Sequence, residues 1–152
     1  MLVDSLIVPE CVYRSGSFSG LMTVYESNFI KLARLLADLD ELSDENARVS
    51  QCPKDLDLYA EVQQREPYTT TLNLTYWFKD DRAELVADPD LIVRVYHDAR
   101  LAEAVAGRED HHHAKLREIA RRHSLELGRR WRNNIMLNKW LDYLLDMGHA
   151  FP

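Results

Sequence analysis

Apolar positions recur at intervals of three and four from about Gly20. Leu21, Val24 or Tyr25, Asn28, Leu32, Leu35 and Leu36 fall on one side, with Phe29 beside them. That spacing predicts an amphipathic helix ending near Ala37, with Ser19 as its N-cap. The period then changes to two. Ala47 to Gln51 reads as a short strand, followed by a turn around Pro53. Leu56, Leu58, Ala60 and Val62 alternate with Asp57, Tyr59, Glu61 and Gln63, which is the mark of a strand with one wet face. Beyond Pro67, Tyr68, Thr70, Leu72, Leu74, Tyr76 and Phe78 share one face of a longer strand, and Thr69, Thr71, Asn73, Thr75 and Trp77 share the other. Its β-branched and aromatic content makes this the strongest strand signal in the chain.

Lys79 to Pro89 reads as a charged loop, and Leu91 to His97 as a further strand. Two readings compete for Asp98 to Gly107. Its Ala, Glu and Arg content favours a helix by propensity, while its position favours a hairpin partner for the preceding strand, and the hairpin leads narrowly. Ala114 to His123 carries Leu116, Ile119 and Ala120 at helical spacing. Asn133 to Met147 is the clearest helix, with a stripe of Ile135, Met136, Trp140, Tyr143, Leu144 and Met147 and with Gly148 where a terminating glycine belongs. Links this short between strands require antiparallel pairing. The expectation is an α+β fold: an N-terminal helix, an antiparallel sheet of four or five strands, and C-terminal helices packed on one face. Residues 1–18 read as an irregular lead-in and residues 19–152 as a single domain.

Composition adds bounds. Of 152 residues, 46% are apolar and 29% charged, enough to bury a core without staples. The two cysteines, Cys11 and Cys52, form no C-x-x-C pair, which excludes a disulfide framework or a cysteine-rich zinc module. Asp4 interrupts the short apolar run at the N-terminus, so no secretory signal is read, and no stretch has the length of a membrane span. A cytoplasmic protein is the expectation. The net charge of −6 is unevenly spread. Residues 38–114 hold a net −10, whereas residues 115–132 hold a net +5 from Lys115, Arg117, Arg121, Arg122, Arg129, Arg130 and Arg132 against two acids.

That basic segment has two readings. The simpler is a solvated helical face balanced by the acidic half of its own fold. The sharper is an anion or RNA contact through Arg121, Arg122, Arg129 and Arg130, with Trp131 available to stack. The acidic remainder disfavours nucleic acid as a partner. His111, His112 and His113 are adjacent, so His111 and His113 are the most that one ion could use together, with Asp110 nearby, and a solvated loop is the simpler account. At the end of the strand over Leu91 to His97, alternation sets His97 on the face of Val93 and Val95, and Tyr96 with Ile92 and Arg94. Arg94 beside Tyr96 suits a bidentate anion contact. His97 with Asp98 suits an acid–base pair, against the simpler account of a hydrogen-bonded histidine at the core edge. No nucleophile elbow, phosphate loop or dinucleotide fingerprint is present, and no cofactor is implied.

One resemblance gathers these residues. Glu26-Ser27-Asn28-Phe29 with Leu32 and Leu35, Tyr68-Thr69-Thr70, Val93-Arg94-Val95-Tyr96-His97-Asp98-Ala99 with Ala102-Glu103, and Leu137, Trp140-Leu141, Tyr143 and Gly148 occur in one order. In that pattern the chain resembles the YqiB-like bacterial family, domain of unknown function 1249, over about Leu21 to His149. It departs from the pattern before the final helix, where Asp110 to Arg132 lacks a proline and is rich in arginine. The resemblance implies a cytoplasmic protein, brings no established activity or cofactor, and singles out Arg94, Tyr96, His97 and Asp98.

The leading functional expectation is a non-enzymatic binding or interaction module. Its surface is the sheet face of Thr69, Thr71, Thr75 and Trp77, or the groove near Arg94 and Tyr96. Its partner would be a protein, a small anionic ligand or a second copy in a homodimer. The alternatives are a small hydrolase or anion-binding enzyme using His97 and Asp98, or RNA contact through residues 115–132.

Overall fold

A computed structural model of the chain describes residues 11–13, 17–39, 47–79, 82–106, 114–122 and 128–151. The order is α1 (Phe18–Leu35), β1 (Arg48–Ser50), β2 (Leu58–Arg65), β3 (Thr69–Lys79), β4 (Leu85–Tyr96), β5 (Leu101–Ala106), α2 (Ala114–Arg122) and α3 (Arg129–Met147). The strands form one antiparallel meander in the order β1-β2-β3-β4-β5. The chain is therefore α+β, as its periodicity predicts.

Helix α1 starts two residues earlier than expected, because Ser17 caps it and not Ser19. The Ser17 side chain accepts from the Gly20 N–H at 3.0 Å, satisfying one of the free donors of the first turn. Helix α3 ends at Gly148, whose φ of 94° is left-handed. There the Gly148 and His149 N–H groups close onto the Leu145 and Leu144 carbonyls, a turn that glycine makes at least cost. The tail then folds back, and Phe151 pairs with Leu36 at the end of α1.

One expectation changes at the sheet, and the choice between helix and hairpin after the fourth strand falls to the hairpin. The supposed loop over Lys79 to Pro89 is in its second half strand, since β4 begins at Leu85. Pro89 is accommodated where Thr75 opposes Asp90 but Trp77 opposes Ala87. Two residues of β4 there face one of β3, a bulge that asks no ladder hydrogen bond of the proline. After β4, residues 97–100 turn and β5 returns antiparallel, with Tyr96 opposite Leu101 and Val95 opposite Ala102. Arg100 takes the left-handed conformation, with a φ of 57°, and lays its guanidinium over the Phe29 ring. No glycine or asparagine marks this turn, which is why propensity alone pointed to a helix.

One face of the sheet forms the core. Leu58, Ala60, Leu72, Leu74, Tyr76, Leu91, Val93, Val95, Ala102 and Ala104 meet Phe29, Leu32 and Leu35 of α1, Leu116 and Ile119 of α2, and Leu137, Trp140, Leu141 and Leu144 of α3. A smaller cluster of Leu21, Val24, Tyr25, Trp131 and Ile135 takes in Leu101, so α1 and α3 also wrap the β5 edge.

That edge is sealed by asparagine. Asn134 of α3 accepts from the Ala104 N–H at 2.8 Å, and Asn28 of α1 donates to the Ala102 carbonyl at 3.2 Å. Asn138 joins the helices, donating to the Ser27 hydroxyl and to the Asn28 side-chain Oδ1 and accepting from Lys31. Lys31 is 1% exposed, and its Nζ also meets Asp142 at 2.8 Å. A buried ammonium is tolerable only with such partners.

Candidate ligand-binding face

The described helices pack on the core face, and the other face of the sheet carries a different set of side chains. Register arranges them in rows. Val49, Tyr59, Thr75 and Asp90 stand across β1 to β4. Glu61, Asn73 and Ile92 form the next row, and Thr71, Arg94 and Glu103 the one beyond. Thr69 sits opposite Tyr96. The threonine and tryptophan surface and the Arg94–Tyr96 group, alternatives in the sequence, are thus parts of one face.

Its hollow end is a concavity of about 160 Å³ lined by Ala47, Tyr59, Glu61, Asn73, Thr75, Trp77, Ala87 and Asp90. Trp77 is 44% exposed. The small Ala87 lies opposite it at the β4 bulge, leaving the space that a larger side chain would fill. Thr75 donates its hydroxyl to Asp90 at 3.1 Å. The Asn73 Oδ1 is enclosed and has no hydrogen-bond partner among the described residues.

The other end is a chain of side-chain hydrogen bonds. Arg94 donates to the Tyr96 hydroxyl, which donates to Glu103 at 2.6 Å. The bond to Tyr96, with the Glu103 and Glu66 charges, holds Arg94 above its ordinary pKa. Burial first, then the bond to Glu103, raises Tyr96. Burial and the Glu103 charge push Tyr25, reaching over from α1, up to about 12. Arg94 is therefore balanced by carboxylates, and any anion there would compete with Glu103.

His97 lies on the core side as alternation requires, with Nε2 2.7 Å from the Thr70 hydroxyl and its N–H bonded to the Tyr68 carbonyl. Asp98 is exposed on the turn. The group of four singled out by resemblance is split, with Arg94 and Tyr96 on the open face and His97 on the other. Asp110, His111, His112 and His113 lie outside the described residues. Among the described residues no three histidine, cysteine or carboxylate side chains gather as metal ligands.

The basic segment separates into two helices. Arg121 and Arg122 are exposed at the end of α2, and Arg129 and Arg130 at the start of α3. Trp131 is not available to stack. It is 9% exposed, packed in the smaller core cluster with its ring 5.8 Å from that of Tyr13. Between α2 and α3 lies a cleft of about 220 Å³ whose lining mixes Lys115, Arg122 and Lys139 with Asp142 and Asp146, so its charges largely offset one another.

Sequence reasoning missed one constellation. His149, 2% exposed, bridges Ser50 at 3.0 Å from Nδ1 and Asp55 at 2.9 Å from Nε2. Tyr76 and Tyr143 also donate to Asp55. Serine, histidine and carboxylate in line suggest nucleophilic catalysis. Here, however, Ser50 is buried and its Oγ accepts from the Ala150 N–H. The set ties the C-terminal tail to β1. Ser50 and His149 are 99 positions apart, so no local spacing announced them.

No curated protein and no solved structure matches the chain. A family model matches residues 31–150, a span that holds the whole sheet and all of α2 and α3. The chain belongs to that family, which is described as a protein of unknown function, DUF1249.

Proposed function

We propose that the protein is a non-enzymatic binding module that engages a partner through the open face of its sheet. The observation that carries this reading is the division of the sheet. One face meets the described helices, while the other presents Tyr59, Trp77, Arg94 and Tyr96 among hydroxyl, amide and carboxylate groups. Aromatic and arginine side chains in a polar rim are the composition of recognition surfaces. The hollow on this face, about 160 Å³, is smaller than the roughly 300–1,000 Å³ of a self-sufficient small-molecule site. A larger partner lying over the face suits it better than an enclosed substrate. Two free cysteines suit a reducing compartment, which supports placing the protein in a bacterial cytoplasm as a YqiB-like member of its family.

The test is chemical-shift mapping on the full chain with a panel of blocked tetrapeptides: acidic, neutral aromatic and basic. At least one should perturb amides of β2, β3 and β4 at residues 59–61, 71–77 and 90–96. Shifts confined to the α2–α3 side, or none on the open face from any peptide, would overturn the reading.

A further inference from the structure

We propose that the concavity around Trp77 receives the cationic head of an arginine or lysine side chain carried by a partner polypeptide. This rests on the open face being the binding face, and it follows from the lining. Register makes the geometry. Tyr59 and Asp90 flank Thr75 on either side in one row, and Glu61 is opposite Asn73 in the next. Tyr59 and Trp77 are diagonal neighbours across β2 and β3, a separation of about 7–8 Å that aromatic side chains can span. Glu61 and Asp90 stand at opposite corners, two strands apart, so roughly 10 Å separates their backbones across the sheet.

The uncommitted groups in this hollow are acceptors. Glu61 makes no side-chain hydrogen bond or ion pair among the described residues. Asp90 has one oxygen engaged by Thr75 and makes no other side-chain hydrogen bond among the described residues. The Thr75 hydroxyl is already spent on Asp90. A ligand that satisfies them must bring several N–H donors, and two carboxylates select one with positive charge. The indole and phenol rings offer the faces on which such a cation rests.

Among the described side chains, no lysine or arginine lines the hollow. Arg48, the nearest on β1, is held by Asp38 at 2.8 Å, and Arg94 by Tyr96. Both of these cations are thus engaged elsewhere. The volume suits one side-chain head and its stem. The rest of the partner lies along the face toward Thr71 and Arg94.

The experiment titrates the labelled full chain with a blocked tetrapeptide containing one arginine, with its citrulline counterpart, and with free agmatine. Citrulline keeps the shape and removes the charge. The arginine peptide should move amides near Tyr59, Glu61, Asn73, Trp77 and Asp90, and citrulline should bind about tenfold more weakly. The double variant Glu61→Gln, Asp90→Asn, both at exposed positions, should lose about tenfold for arginine and nothing for citrulline. Equal binding of the two peptides, or binding to the face by neutral or acidic peptides alone, overturns the cation assignment and leaves the binding face standing. Agmatine binding as tightly as the peptide overturns the polypeptide source. Silence of the open face toward the whole panel overturns the proposed function itself.

Discussion

Asp55 receives three side chains at once, from Tyr76, Tyr143 and His149. A carboxylate this enclosed is stable only because each oxygen is met by a donor. The same arrangement acts on its partners. Burial first, and then the bond to Asp55 and its charge, drive the Tyr76 hydroxyl far above the ordinary phenol pKa of 10.0. Tyr76 therefore stays protonated in the fold at a pH where the unfolded chain releases its proton. A group raised in this way stabilises fully below its unfolded value, and the benefit falls away as pH climbs beyond that. Tyr76→Phe should cost about 1–2 kcal/mol at neutral pH, from one lost bond to a charged acceptor. That deficit should narrow as pH rises above about 10, because the variant has no phenol to ionise in the unfolded state. Urea unfolding across alkaline pH measures both. A deficit that stays constant or grows would show that Tyr76 is not held protonated.

The asparagines between elements address a problem that strands create. The outer edge of β5 exposes backbone groups that would template another chain. Asn28 and Asn134 bond to them from α1 and α3, so the helices close the edge without a sixth strand. Asn134→Ala leaves the Ala104 N–H buried and unpaired, and removes the acceptor that Asn28 uses at 3.3 Å. We expect a loss of about 2–3 kcal/mol in unfolding stability and faster hydrogen exchange at the Ala104 amide in particular. Unchanged protection there would mean that packing alone seals the edge. The strands themselves were legible, because alternation over Leu58 to Val62 and over Thr69 to Trp77 depends only on which face is wet. The helices were legible in their apolar stripes but not in their polar contents. Asn134, Asn138 and Lys31 read as surface residues by type, and only the fold, by bringing α1 against α3, makes them interior. Pro89 misled for a related reason. A proline ends a strand by local rules, and the bulge that admits it is set by the register of β3 against β4. On the open face, Asn73, Thr75 and Trp77 could be named from alternation, whereas Glu61 and Asp90 join them only through register on two neighbouring strands.

At the scale of the molecule, charge follows architecture. The net −10 of residues 38–114 lies in the sheet and its connections, and the net +5 of residues 115–132 lies in α2 and the start of α3. A chain of overall −6 is thus divided along its sequence into segments of opposite sign. Glu61 and Asp90 line the hollow at Trp77, and the net negative charge of the chain would steer a basic segment toward it before any contact forms. Steering of this kind acts on the encounter and is screened by salt, whereas seated contacts govern departure. Association of an arginine-rich peptide should therefore slow several-fold as ionic strength rises from about 0.01 M to about 0.15 M, where the Debye length falls from about 30 Å to about 8 Å. Its dissociation rate should change much less. In the Glu61→Gln, Asp90→Asn variant the association rate should keep most of its salt dependence, since the remaining acidic residues still set the long-range field, while dissociation quickens. Stopped-flow measurement separates these two rates. A salt effect confined to dissociation would place the recognition in the pocket's carboxylates alone and leave the acidic half of the fold without a part in it.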